Sequence, residues 1–226
     1  MKVTLLSSCG LAVEQDGRTL LIDALNKQFR CYYGLPPETF SRMLALAPPF
    51  DALRGILCTH AHPDHYNEGR TQQLAQVSGA PVFVPRADTP QEQIMQLGPF
   101  RVSFYHFPHI PVPGWDAIDH GVFLVEAAGQ CIYVTGDAQI DAALHRSILA
   151  GRRVDAAFWN GQYLSYPQTR ALLAEAAKKN YVYHIPIDEK DVCGIRRKCE
   201  RNMARFGAEL STVTLLEAYP SDVLIE

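Results

Sequence analysis

Thr59-His60-Ala61-His62-Pro63-Asp64-His65 decides how this chain is read. Three of the chain's eight histidines fall here beside an aspartate. The stretch follows Gly55–Thr59, a short apolar run that reads as a strand delivering His60 to its C-terminal end. In extended backbone, residues two apart point the same way, so His60 and His62 can hold one cation together. Pro63 forces a turn, so Asp64 and His65 aim at a neighbouring position. Two ions ~4 Å apart, sharing an oxygen, suit that arrangement.

Outward from this cluster, the pattern is strands first and then strands mixed with helices. Val3–Leu6, Leu11–Glu14 and Thr19–Ile22 read as strands, the last two joined by a turn at Asp16-Gly17. Residues 26–50 form a long insertion, with a short helix expected over Pro36–Ala47. Its aromatic part, Phe29–Phe50 with Tyr32 and Tyr33, is expected to form a lid or substrate wall, or alternatively a homodimer contact. A helix is expected from Pro63 to Ser78, stopped by Gly79. Pro81–Val84 reads as a strand and Thr89–Leu97 as a short helix capped by Thr89. Strands follow at Phe100–Phe107, Gly121–Glu126, Gln130–Thr135, Ala156–Trp159, Tyr181–Ile185 and Thr212–Glu217. Helices are expected at Asp141–Ala150, Gln168–Lys179 and Lys190–Phe206. His145 falls on the first of these and is expected in solvent. The last is basic and is expected to present a solvated face.

The cluster resembles the H-x-H-x-D-H signature of the metallo-β-lactamase superfamily. Other elements match in that family's order across most of the chain. Leu21-Ile22-Asp23 looks like its first motif, Val134-Thr135-Gly136-Asp137 like its Gly-Asp motif, and Tyr183-His184-Ile185 like its last. The resemblance implies a single α/β domain over 1–226: a four-layer αβ/βα sandwich of two mixed sheets flanked by helices. It also implies a site at the edge between the sheets. There, His60, His62 and a third histidine would hold one metal, and Asp64, His65 and His184 the second. Asp137 would bridge them with its two oxygens; its alternative is a helix cap. His106, His109 and His120 are the candidates for the third histidine, and the family's placement behind a strand and a proline favours His109. Asp23 would accept from the far ring nitrogen of a ligand histidine. His106, His120 and Tyr33 are candidates to face substrate. Asp64 and Asp137 are the candidate catalytic carboxylates.

Such a centre implies a hydrolase, because a water held between two cations loses its proton near neutral pH. Mixed histidine and carboxylate ligands fit zinc first, with manganese or iron as alternatives. A small phosphodiester is the expected substrate by analogy with the family, with a carboxylic ester, lactone or thioester as the alternative. A non-catalytic metal- or ligand-binding module with the same fold is the reading from a different class. The net charge of −3 argues against a polynucleotide partner and leaves a small molecule. Six cysteines without a C-x-x-C pair point to buried, reduced thiols. The apolar stretch before Cys9 is too short for a signal-peptide core, and no run is long enough to span a membrane. A cytoplasmic protein is expected.

Overall fold

The computed structural model describes residues 1–112 and 117–225. Period-two patterning organises it into two sheets. The first is formed by β1 (Lys2–Leu5), β2 (Leu11–Gln15), β3 (Arg18–Ile22), β4 (Leu53–Leu57) and β5 (Val82–Phe83). The second contains β6 (Glu92–Leu97), β7 (Phe100–His106), β8 (Gly121–Ala127), β9 (Gln130–Val134), β10 (Ala156–Asn160), β11 (Lys179–Tyr183) and β12 (Val213–Leu215). A last strand, β13 (Ser221–Leu224), returns to pair antiparallel with β1, giving the orders β13-β1-β2-β3-β4-β5 and β12-β11-β10-β9-β8-β7-β6. Both sheets are mixed: β3, β4 and β5 run parallel, as do β9 to β12, and the remaining pairs are antiparallel.

Alternate side chains of each strand leave on opposite faces, which dictates four layers. Leu20 and Ile22 of β3 enter the core between the sheets with Phe123 and Val125 of β8, and with Phe158 of β10. Leu21 points outward, into a cluster under α1 (Pro37–Leu44) and α2 (Glu68–Ser78). On the other side, Val122, Leu124, Tyr133 and Trp159 pack beneath α3 (Ala142–Leu149), α4 (Pro167–Glu175) and α5 (Ile195–Phe206). The αβ/βα sandwich is therefore as expected. No helix of the described residues is long and apolar enough to cross a membrane.

Local departures from expectation have physical causes. Residues 92–97 form an edge strand where a helix is expected: the turn at Gly98, with φ +60°, folds them back antiparallel onto β7. Pairing overrides the helix-favouring composition there. The helix after the histidine cluster starts at Glu68, not at Pro63, because Asn67 caps it by accepting from the Arg70 N–H at 3.0 Å. Residues 62–66 instead make a tight turn, with the His65 and Tyr66 N–H groups donating to the His62 carbonyl. Gly79 ends α2 as expected, at φ +68°.

His145 is the clearest correction. It is fully buried, not solvated, and its two ring nitrogens contact the Tyr133 hydroxyl at 2.8 Å and the Tyr163 hydroxyl at 2.6 Å. Ala142, His145 and Leu149 share the inward face of α3, so the helical spacing carried that signal. The basic helix is not uniformly solvated either: the Arg196 guanidinium donates to the Pro186 and Glu217 carbonyls at 2.8 and 2.7 Å. Five cysteines are buried free thiols, while Cys193 is exposed.

Candidate metal centre

The parallel strands β3 and β4 of one sheet and β9, β10 and β11 of the other end at the same edge of the sandwich. Asp23, the 60–65 turn, Asp137 and His184 follow those ends, and Asn160 is the last residue of β10, which is why residues far apart in sequence meet. Three strand-ending residues, Asp23, Gly136 and His184, take left-handed φ values of 52°, 53° and 59°. They turn the chain out of extended geometry at the site. The sheets are tied here by the Gly121 N–H on the Thr59 carbonyl at 3.0 Å, and by the His184 N–H on the Ser8 carbonyl at 2.7 Å.

Hydrogen bonds set the protonation of the rings. The Asp23 carboxylate, buried to 1% exposure, accepts from the Thr59 N–H (2.7 Å) and from the Thr59 hydroxyl (2.8 Å). It also accepts from His65 Nδ1 at 2.9 Å. Having given its one proton to Asp23, the Thr59 hydroxyl must accept from His60 Nδ1, 3.0 Å away. His120 Nδ1 donates to the Phe107 carbonyl at 3.0 Å, and His109 Nδ1 donates to the Ile110 carbonyl. In the neutral form of all four rings the proton therefore sits on Nδ1, which leaves Nε2 as the atom that would bind a cation.

The Nε2 atoms of His60, His65, His109, His120 and His184 are buried and make no hydrogen bond among the described residues. Buried polar atoms without partners are rare and costly. Here they converge: ligand atoms of His60, His62 and His109 lie within 4.8 Å of one another, as do those of His60, His65 and Asp137. Asp137 faces both groups, with Oδ1 3.6 Å from His65 Nε2 and Oδ2 3.8 Å from His109 Nε2. His184 Nε2 lies 3.4 Å from Asp64 Oδ2, and its Nδ1 lies 3.4 Å from Asp137 Oδ1. This donor set fits divalent cations, and the orphaned lone pairs are what a cation would satisfy.

The electrostatics agree. Burial holds His60 well below the ordinary histidine pKa, His62 at about 4 and His120 at about 3, and it lowers His109; each is reinforced by neighbouring histidines. These four rings are therefore neutral at neutral pH. Burial opposes protonation of His65 too, but Cys9, Asp137 and Asp23 outweigh it and raise its pKa well above the usual value. Surroundings that attract a proton so strongly will also attract a metal ion. Burial would raise Asp64 and Asp137, but His184 and His65 hold both carboxylates down and ionised.

Of the candidates for the third histidine, His109 joins His60 and His62. His120 is buried behind them, its ring centroid 5.1 Å from that of His60 and 5.5 Å from that of His109. His106 is not at the centre: its Nε2 contacts the Thr89 carbonyl at 2.9 Å and its ring packs on Phe104. Tyr33 is displaced as well, its ring lying against Tyr219 and beneath the Lys190 ammonium. The neighbouring Tyr32 stacks on His184, with centroids 3.9 Å apart.

Other residues at the site were not singled out from sequence for the roles they take. Thr59 relays Asp23 to His60. Asn160 Nδ2 donates to Asp137 Oδ1 at 2.6 Å and lies 3.1 Å from His184 Nδ1. Asn26 Nδ2 donates to the Asp64 carbonyl at 2.5 Å and contacts Cys9 Sγ at 3.2 Å. Cys9 Sγ itself lies within 4.8 Å of ligand atoms of His65 and His184. The adjacency of Thr59 to His60 was a usable signal; the others depend on contacts that sequence spacing does not encode.

Solved structures share this architecture. One is an isothiocyanate hydrolase from Delia radicum gut bacteria, with a TM-score of 0.67 and 16% identity over 99% of each chain. Another is the metallo-β-lactamase fold protein YhfI from Bacillus subtilis, with a TM-score of 0.65 and 14% identity over 99% of each chain. The chain has the metallo-β-lactamase fold. A possible metal-dependent hydrolase from Veillonella parvula shares that fold at a TM-score of 0.65 and 14% identity, over 99% of this chain and 98% of its own. No family model and no curated protein matches the chain. In this metallo-β-lactamase fold, the histidine and aspartate cluster lies where strand ends of both sheets meet.

Proposed function

We propose that this chain is a dinuclear metal-dependent hydrolase of a small, uncharged substrate. The observation that carries the reading is the convergence of buried, unpartnered Nε2 atoms around the two oxygens of Asp137. His60, His62 and His109 would hold one cation, Asp64, His65 and His184 the other, with Asp137 between them. When bound, the cations supply Lewis acidity, polarising the bond to be broken and making water nucleophilic near neutral pH. Zinc suits these ligands first, with manganese or iron as alternatives.

The chain's own groups do the positioning. Asp23 and Thr59 hold the rings of His65 and His60, so their lone pairs are aligned before any ligand arrives. Burial keeps bulk water from the inner faces of His60, His65 and His184. Asp64, held ionised, is placed to take a proton at Oδ2. Beside His62 and His109 opens a cavity of about 390 Å³, lined also by Pro108, Ile110, Pro111, Val112, Ala117 and Ile118. Among its described lining residues there is no lysine or arginine to clamp a phosphate. An apolar group next to an electrophilic carbon fits better: an ester, lactone, thioester or isothiocyanate. A phosphodiester, the substrate expected by analogy, is the second reading, since the cations themselves would supply the positive field.

The test is hydrolysis by protein loaded with zinc, manganese or iron. The substrates are p-nitrophenyl butyrate, an acyl thioester, a lactone, benzyl isothiocyanate and bis(p-nitrophenyl) phosphate. The carbon electrophiles should exceed the phosphodiester by at least ~10-fold in kcat/KM; the reverse order favours the second reading. His62→Ala and Asp64→Ala should abolish turnover and lower metal content. Full activity and full metal content in both variants would contradict the scheme, and silence on every substrate in metallated protein would favour a binding module.

A further inference from the structure

The fold brings together one pair of thiols that the metal centre does not use. Cys31 Sγ and Cys193 Sγ lie 3.6 Å apart, although 162 residues separate them in the chain. Cys31 is 1% exposed, while Cys193 is exposed. Each belongs to a segment that flanks the site. Cys31 sits in the β3–α1 connection, inside the turn closed by the paired residues Phe29 and Tyr32. The next residue, Tyr32, is the one stacked on His184. Cys193 sits between β11, which delivers His184, and α5. The two segments already touch nearby: Lys190 Nζ donates to Gln28 Oε1 at 2.6 Å and lies 5.7 Å from the Tyr33 ring centroid.

We propose that Cys31 and Cys193 form a reversible disulfide under oxidation by a peroxide, stapling the Tyr32 segment over the His184 side of the site. The sulfurs must close from contact distance to ~2 Å, a shift that two connecting segments can absorb. Cys193 reacts first because the oxidant can reach it. Its thiolate attacks one peroxide oxygen, an S–O bond forms, the O–O bond breaks, and the departing hydroxide takes a proton to become water. The Cys31 sulfur then attacks the sulfenic sulfur, the S–S bond forms, and the S–O oxygen leaves as a second water. Two thiols lose two electrons in total, and one peroxide is reduced to two waters. Burial and the adjacent Cys193 push the Cys31 thiol up to about 12, so it is not the first nucleophile; its part as the resolving thiol rests on its 3.6 Å contact with Cys193. The proposal does not require the protein to be a hydrolase.

The test treats reduced, full-length protein with hydrogen peroxide, quenches with N-ethylmaleimide and maps peptides without reduction. A linked peptide pair containing Cys31 and Cys193 is expected from monomeric protein, ~2 Da lighter than the sum of the two free-thiol peptides and reversed by dithiothreitol. Cys31→Ser and Cys193→Ser should each abolish the link. Amide exchange over residues 28–34 should slow by at least ~3-fold in the oxidised protein. Three outcomes would overturn the proposal: both thiols still fully alkylated under peroxide that oxidises glutathione; Cys193 carried to sulfinic acid or into intermolecular dimers without the 31–193 link; or a link without slower exchange around Tyr32.

Discussion

Asp23→Asn exchanges one oxygen for one nitrogen and tests the logic of the whole centre. The carboxylate accepts three hydrogen bonds and donates none. An amide can satisfy that environment in two ways, and both damage the site. If its oxygen stays on the Thr59 N–H, its NH2 faces the Thr59 hydroxyl and His65 Nδ1. The hydroxyl must then accept and pass its own proton to His60 Nδ1. His60 and His65 both become acceptors at Nδ1, so their protons move to Nε2, where the metal should bind. If the amide turns over, both tautomers survive, but its NH2 meets the buried Thr59 N–H and strands a donor. That costs ~1–3 kcal/mol, or ~5- to 150-fold in an equilibrium. Recovering two ring tautomers against two hydrogen bonds costs a similar amount. Metal affinity should therefore fall ~10- to 100-fold, the range usual for a group that orients ligand histidines. Competition with a chromophoric chelator measures the affinity. Long-range proton–nitrogen correlation spectra of the metal-free protein report the tautomer of His60, the neutral ring of the two, and circular dichroism checks the fold. A variant that folds, binds metal within twofold of the native protein and keeps the His60 proton on Nδ1 would refute the reasoning.

Two further outcomes follow from the same structure. Gly136→Ala should destabilise the fold by ~2–4 kcal/mol in urea denaturation, because its φ of 53° is strained for alanine and the new Cβ would lie 2.5 Å from Thr59 Oγ1; an unchanged midpoint would mean that the two sheets are not packed through this contact. His145, held at about 3 by burial, has a folded pKa below its unfolded value of 6.5. The unfolded chain binds the extra proton, so this contribution to stability is complete above pH 6.5 and is lost as pH falls through the window down to about 3. Between pH 7 and pH 5 the loss is on the order of 2 kcal/mol, and His145→Gln should remove that share of the pH dependence; a variant that tracks the native protein across this range would show that the ring is not buried neutral.

The layers were legible because strand periodicity is a local property. Alternation in β8 to β11 assigns one set of side chains to the inter-sheet core and the other to the helices, whatever the rest of the chain does. The segment at 92–97 reads as helix because its pairing with β7, which is what makes it a strand, is non-local. His145 departs from expectation for a different reason. Its spacing on the helix was visible, but a histidine is polar by composition, and only the two tyrosine hydroxyls from β9 and the turn after β10 make its burial affordable.

By itself the sequence determined that His60, His62, Asp64 and His65 form one compact group, since a strand end followed by a proline turn leaves them no other arrangement. It also supplied the order of Asp23, Asp137 and His184 along the chain, but their convergence follows from two sets of parallel strands ending at one edge. Tertiary structure alone placed Tyr32 on His184, excluded His106, recruited Asn160 and Asn26, and brought Cys31 against Cys193. Those relations join surfaces tens of residues apart, and they depend on how sheets and connections pack, which no local pattern of residue types encodes.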